Sequence, residues 1–146
     1  MKTAPSLSPK VLLVDDNRDG LLVRRSLLEE IGFCVEIALG AEEGLRLYKT
    51  VKFDVIVTDY RMPRMSGAEL IQSIRLIDPN ARIILLSGFV EPLGLTEQNT
   101  GADAVIAKSA NEPAHLMRCV KRLANRGLRK PPAAQRASRL SVAING

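Results

Sequence analysis

The 146-residue chain has no tryptophan, one histidine and two cysteines, and aromatic residues make up 3% of it. So few ring faces argue against stacking on single-stranded nucleic acid. Cys34 and Cys119 lie far apart and match no metal-ligand spacing. Cys34 falls in a strand pattern and Cys119 on a helix, so both are expected to be buried, reduced thiols. His115 stands alone in the first turn of the last helix and reads as a solvated residue. No run approaches the ~20 apolar residues that a membrane span requires. Met1 to Pro9 is polar and contains proline, without the apolar core of a signal peptide. A cytoplasmic protein with no membrane partner is the expectation. Acid is also missing from the last stretch: residues 118–146 hold eight Lys/Arg and no Asp or Glu. The formal charge of +5 therefore belongs to the last helix and the tail, while the preceding residues are net acidic.

What is present is a set of short apolar runs, each ending on a polar residue. Val11-Leu12-Leu13-Val14 leads to Asp15-Asp16, and Val55-Ile56-Val57 leads to Asp59. Ile83-Ile84-Leu85-Leu86 leads to Ser87, and Ala104-Val105-Ile106-Ala107 leads to Lys108. Consecutive branched apolar residues describe strands buried on both faces, as in a parallel sheet. A weaker run, Phe33 to Ala38, suits an edge. Helical patterns separate the runs. Asn17 to Ile31 carries Leu21, Leu27, Leu28 and Ile31, and stops at Gly32. Gly40 to Thr50 is helical. Ser66 and Glu69 form a capping box for a helix through Leu70, Ile71, Ile74 and Ile77, which ends at Asp78-Pro79. Glu112-Pro113 opens the last helix, whose inner stripe is Leu116, Val120 and Leu123 and whose stop is Gly127. Glu91 to Thr100, interrupted by Pro92 and Gly94, predicts a short mobile helix or turn.

Strict alternation of five strands and five helices predicts an α/β fold. It is a doubly wound, five-stranded parallel sheet of order 2-1-3-4-5, flavodoxin-like, with its switch point between the first and third strands. Right-handed crossovers bring all carboxyl ends of the strands to one edge. Asp15, Asp16, Asp59, Ser87 and Lys108 then meet there. Clustered carboxylates repel unless a proton or a cation neutralises them. A hard divalent ion suits oxygen ligands, and Mg²⁺ needs few from protein. Asp16 and Asp59 can ligate it directly, a carbonyl just after Asp59 can add a contact, and Asp15 can act through water. Asp59, central and at the switch point, is the best nucleophile, since carboxylates form acyl phosphates. Lys108 supplies a point charge and Ser87 a hydroxyl for phosphoryl oxygens. Pro63 and Gly67 shape the loop so that the carbonyl near Arg61 can face the ion.

These motifs resemble the receiver (REC) domain of two-component response regulators over residues 10–126. They are Asp-Asp after the first strand, Asp-x-x-Met-Pro-x-x-x-Gly after the third, Ser-Gly after the fourth and Lys after the fifth. The resemblance implies Mg²⁺-dependent transfer of a phosphoryl group from a histidine kinase, or a histidine phosphotransfer protein, to Asp59. It implies metal binding by Asp15, Asp16, Asp59 and the Arg61 backbone carbonyl, and phosphate sensing by Ser87 and Lys108. Two positions depart from the family. Val105 stands where an aromatic switch residue is usual, and Ser109 where proline follows the lysine. A trans Lys108-Ser109 bond is expected, because cis costs about 3 kcal/mol before a non-proline residue. Residues 88–100 are expected to respond to phosphorylation more than residues 103–107.

Each residue alone has a plainer reading. Asp15-Asp16 could be a helix cap and a solvated acid, Ser87 a turn residue before Gly88, Lys108 and Arg18 solvated cations, and Met62 and Met65 loop packing. Their coincidence at four strand ends favours the joint reading. A haloacid-dehalogenase-like phosphohydrolase is the enzyme alternative, but the position two after the nucleophile holds Arg61 rather than an acid. A phosphorelay intermediate without its own output is a further alternative. The reading is of a stand-alone domain that is no enzyme beyond its own phosphorylation and dephosphorylation. An extension covers residues 1–9, the domain 10–127 and a basic flexible tail 128–146. Specific DNA binding is not expected, and the sequence allows a homodimer.

Overall fold

The structure, a computed structural model, describes residues 8–88 and 93–128. Residues 1–7 of the predicted extension, the predicted tail after Leu128 and the Glu91-Pro92 portion of the predicted weak helix lie outside these residues. The strands are β1 (Lys10–Val14), β2 (Cys34–Ala38), β3 (Val55–Asp59), β4 (Ile83–Ser87) and β5 (Ala104–Ala107). The helices are α1 (Arg18–Glu30), α2 (Ala41–Thr50), α3 (Gly67–Ile77), α4 (Glu97–Thr100) and α5 (Glu112–Leu128). All strand pairs are parallel, in the order β2-β1-β3-β4-β5. This is the predicted doubly wound sheet.

Side-chain alternation divides the core. Val11, Leu13, Val55, Val57, Ile84, Leu86 and Ile106 point to one face, against Leu21 and Leu28 of α1 and Leu116, Val120 and Leu123 of α5. Leu12, Val14, Ile56, Ile83 and Leu85 point to the other, against Leu70, Ile71 and Ile74 of α3. Each fully buried aliphatic side chain contributes roughly 1.5–3 kcal/mol. Consecutive apolar residues were needed because both faces of the central strands are covered.

Local chemistry sets the helix ends. Asn17 caps α1 by accepting from the Gly20 amide at 3.2 Å. Ser66 accepts from the Glu69 amide, and Glu69 accepts from the Ser66 amide, completing the predicted box at α3. Thr96 and Asn99 make a similar reciprocal cap for the four-residue α4. Gly94 just before it has φ +65°, a left-handed conformation that interrupts helix.

Four expectations change. Cys34 is exposed, while Cys119 is buried as expected. The reason is that β2 is an edge strand with alternating burial, and Cys34 opens it on the outward side. Ile31 and Ile77, read as part of the inward stripes, are 38% and 47% exposed; Ile31 is the C-cap of α1 and Ile77 the last residue of α3, where the helical face ends. The last helix does not stop at Gly127 but runs through Leu128. Glycine costs a helix about 1 kcal/mol and does not by itself end one.

Candidate functional site

The register of the sheet builds the site. Val14 lies opposite Thr58, so Asp15 emerges beside Asp59. Asp59 lies opposite Leu86, which brings Ser87 next. Ser87 lies opposite Ala107, so Lys108 follows, its amide donating to the Ser87 carbonyl at 3.0 Å. Asp15 and Lys108, 93 positions apart, thus meet at one edge because parallel strands share a direction.

Asp15, Asp16 and Asp59 each offer a carboxylate oxygen within 4.8 Å of the other two. Asp15 and Asp59 are buried and Asp16 is exposed. Burial and then the neighbouring Asp59 charge raise the pKa of Asp15 above the ordinary value, a shift partly opposed by the Asn17 amide and by Lys108. Asp59 Oδ1 is buried and accepts no hydrogen bond of ordinary geometry. Its charged contact is an ion pair with Lys108 Nζ. A buried carboxylate held by one lysine, beside two further carboxylates, is a set of oxygen donors that a hard cation completes. The residues present therefore fit Mg²⁺.

The loop after β3 is held at two points. The Gly67 amide donates to the Tyr60 carbonyl at 2.8 Å. A Cβ at Gly67 would lie 2.2 Å from the Asp59 carbonyl oxygen, so only glycine permits this approach. Met62 and Met65 pack half-buried against the core, as the plainer reading expects. The loop encloses an open cleft of about 430 Å³, lined by Asp16, Tyr60, Arg61, Met62, Pro63 and Ser66. Arg61 and Asp16 both line this cleft. Ser87 is almost wholly buried. Val105 is half-buried, and its amide donates to Glu97 of α4 at 3.3 Å. No cis peptide occurs among the described residues, so Lys108-Ser109 is trans as expected, and Lys108 still reaches Asp59. Arg18 and His115 are exposed.

Sequence reasoning missed Arg24 and Glu112. Arg24 Nε and Nη2 donate to the two Glu112 carboxylate oxygens at 3.2 and 3.1 Å, while Nη1 reaches Asp15 Oδ2 at 3.5 Å. Burial opposes the charged guanidinium, but the Glu112 bonds and charge outweigh it and hold the Arg24 pKa above its ordinary value. The only hint in the sequence was Gly20, one turn before Arg24 inside a helix. A Cβ there would lie 3.2 Å from Arg24 Nη1.

A family model described as the response regulator receiver domain matches residues 11–121. A response regulator receiver protein of Anaeromyxobacter sp. (strain Fw109-5) is 37% identical over 105 residues, covering 71% of this chain and 44% of that protein. The virulence sensor protein BvgS of Bordetella pertussis (strain Tohama I) is 32% identical over 143 residues, covering 92% of this chain and 12% of that protein. The chain thus spans less than half the length of these curated relatives. Among solved structures, the response regulator protein TrrA of Thermotoga maritima, in complex with Mg²⁺-BeF, superposes with a TM-score of 0.72. It is 30% identical, and the match covers 79% of this chain and 98% of that one.

Proposed function

The chain belongs to the receiver-domain family of response regulators, the phosphoacceptor module of two-component signalling, and from that premise we propose that Asp59 is its phosphoacceptor. The observation that carries the assignment is the buried Asp59 carboxylate, paired with Lys108 and clustered with Asp15 and Asp16. The Asp59 carboxylate attacks the phosphorus of a phosphohistidine on a sensor kinase or phosphotransfer protein. The oxygen–phosphorus bond forms as the phosphorus–nitrogen bond breaks, and an acyl phosphate results. Mg²⁺ held by Asp15, Asp16, Asp59 and the Arg61 carbonyl would supply charge neutralisation for the carboxylates and the phosphoryl oxygens. Asp15 already accepts from the Asn17 amide at 3.1 Å and from Arg24, which suits contact with the ion through water. Lys108 exchanges its contact with the carboxylate for one with a phosphoryl oxygen, and Ser87 donates its hydroxyl to another. The domain covers residues 10–127, and output passes by protein–protein contact. No helix among the described residues is long and apolar enough to cross a membrane.

Intact mass after treatment with acetyl phosphate and Mg²⁺ tests the assignment. One phosphoryl group per chain is expected, lost without divalent metal and lost in Asp59→Asn. An adduct that survives Asp59→Asn unchanged refutes it. Continuous release of phosphate with many turnovers would instead favour the phosphohydrolase alternative.

A further inference from the structure

The fork from Arg24 to Glu112 ties α1 to the first residue of α5, far from it in sequence. Asp15 and Glu112 are buried, and Arg24 is partly buried, with 14% of its side chain exposed. Glu112 also closes the turn that carries Lys108. Its amide donates to the Ser109 carbonyl at 3.0 Å, and the Asn111 amide donates to Ser109 Oγ at 3.3 Å. Ser109 to Asn111 are exposed, and their hydrogen bonds among the described residues are local. Ser109 has no ring to restrict its backbone. The turn is therefore anchored at its start by the Lys108 amide on Ser87 and at its end by Arg24 on Glu112. Gly20 leaves the space in which the guanidinium lies against both acids.

We infer that Arg24 is a positioning residue for phosphoryl capture, holding the Lys108 turn through Glu112 while its remaining nitrogen orients Asp15. The inference rests on the phosphoacceptor reading of Asp59. Arginine suits the task because its planar fork makes two parallel bonds to one carboxylate and still offers a donor to a second. Lysine, with all its donors on one nitrogen, cannot reproduce the parallel fork on Glu112 while also reaching Asp15 in this geometry.

The role makes two opposite demands, which separates it from simple structural support. A partly buried cation beside Asp15 aids the turn, yet it competes with a divalent ion for the same carboxylate. Arg24→Ala is therefore expected to bind Mg²⁺ at least as tightly as the natural chain, by calorimetry. It is expected to accept phosphate from acetyl phosphate at saturating Mg²⁺ roughly 10- to 100-fold more slowly, the scale of an ångström misplacement at a reacting centre. Its affinity for beryllofluoride with Mg²⁺, an equilibrium measure of the phosphoryl contacts, is expected to fall with the rate. Glu112→Gln is expected to slow capture in the same direction with unchanged Mg²⁺ affinity. Arg24→Lys keeps the charge and the stem, and serves should Arg24→Ala not fold; it too is expected to be slow. Natural-rate capture in folded Arg24→Lys and Glu112→Gln overturns the inference. So does a loss explained wholly by weaker Mg²⁺ binding. If the natural chain itself takes no phosphate on Asp59, the phosphoacceptor reading fails instead.

Discussion

The two edges of the sheet treat the same residue type in opposite ways. At the edge where the strands begin, each aspartate has donors. Asp54 accepts from the Lys10 amide at 2.7 Å. Asp78 accepts from Tyr48 Oη at 2.9 Å and from the Asn80 amide at 3.1 Å. Asp103 accepts from the Ile83 amide at 2.7 Å and from Arg75, which also bonds the carbonyls of Pro79, Ala81 and Gly101. At the edge where the strands end, Asp15, Asp16 and Asp59 face one another; Asp15 also accepts from the Asn17 amide and Arg24, and Asp59 is paired with Lys108, but the three carboxylates still lie within reach of a single ion. Satisfied acids hold loops to strands. Acids left facing acids are held in place by the fold around them and are available for a cation and for chemistry. The comparison separates two kinds of conservative-looking Asp substitution, one that acts on stability and one that acts on function.

The sharpest way to break the comparison is to remove an acid from the satisfied edge. Asp103→Ala leaves the Ile83 amide and part of the Arg75 guanidinium without partners, and should destabilise the fold by about 2–3 kcal/mol. Denaturant unfolding measures this. Phosphorylation per folded molecule should not change, and a selective loss of phosphorylation would erase the distinction between the edges.

At the other edge, binding a divalent cation should stabilise the fold. With Mg²⁺ at ten times its dissociation constant, linkage gives about 1.4 kcal/mol and a higher melting temperature. Asp16→Asn should lower this response and leave the metal-free protein no less stable, because it removes one of three repelling charges. A melting temperature indifferent to millimolar Mg²⁺ would count against the site.

The smallest effects are in pH, and their windows differ between the edges. The folded state holds the Asp15 proton more tightly than the unfolded chain does, because burial and the Asp59 charge raise its pKa above 3.8. Its contribution to metal-free stability is therefore full below pH 3.8 and is lost as pH rises through the folded value. Asp15→Asn should remove that loss. Tyr48 is likewise raised above its ordinary 10.0, first by burial and then by the bond and charge of Asp78. Its contribution is full below pH 10 and is lost only in more alkaline solution. Tyr48→Phe should cost roughly 1 kcal/mol at neutral pH and flatten the alkaline limb of the stability curve. Melting curves across pH on metal-free protein would show both windows.

Much of this was legible in one dimension. Consecutive branched residues in four runs specify strands covered on both faces, and the polar residues at their ends then share an edge by topology alone. Asp15, Asp16, Asp59, Ser87 and Lys108 follow from that rule. The Ser66–Glu69 cap was also readable, since its partners are three residues apart. Burial at the ends of elements was not. Ile31, Ile77 and Cys34 fit the local period, but whether a period meets a covering surface depends on how far the neighbouring element extends. The Arg24–Glu112 pair was beyond sequence reasoning for the same kind of reason. Period and spacing describe which face of a helix a residue occupies. That an arginine on α1 meets a glutamate 88 positions later is decided by the packing of α1 and α5 on one face of the sheet. Local patterns, being short-range, determined the elements and the edge at which the acids meet; long-range packing decided which charges are neutralised there and which are left for a ligand.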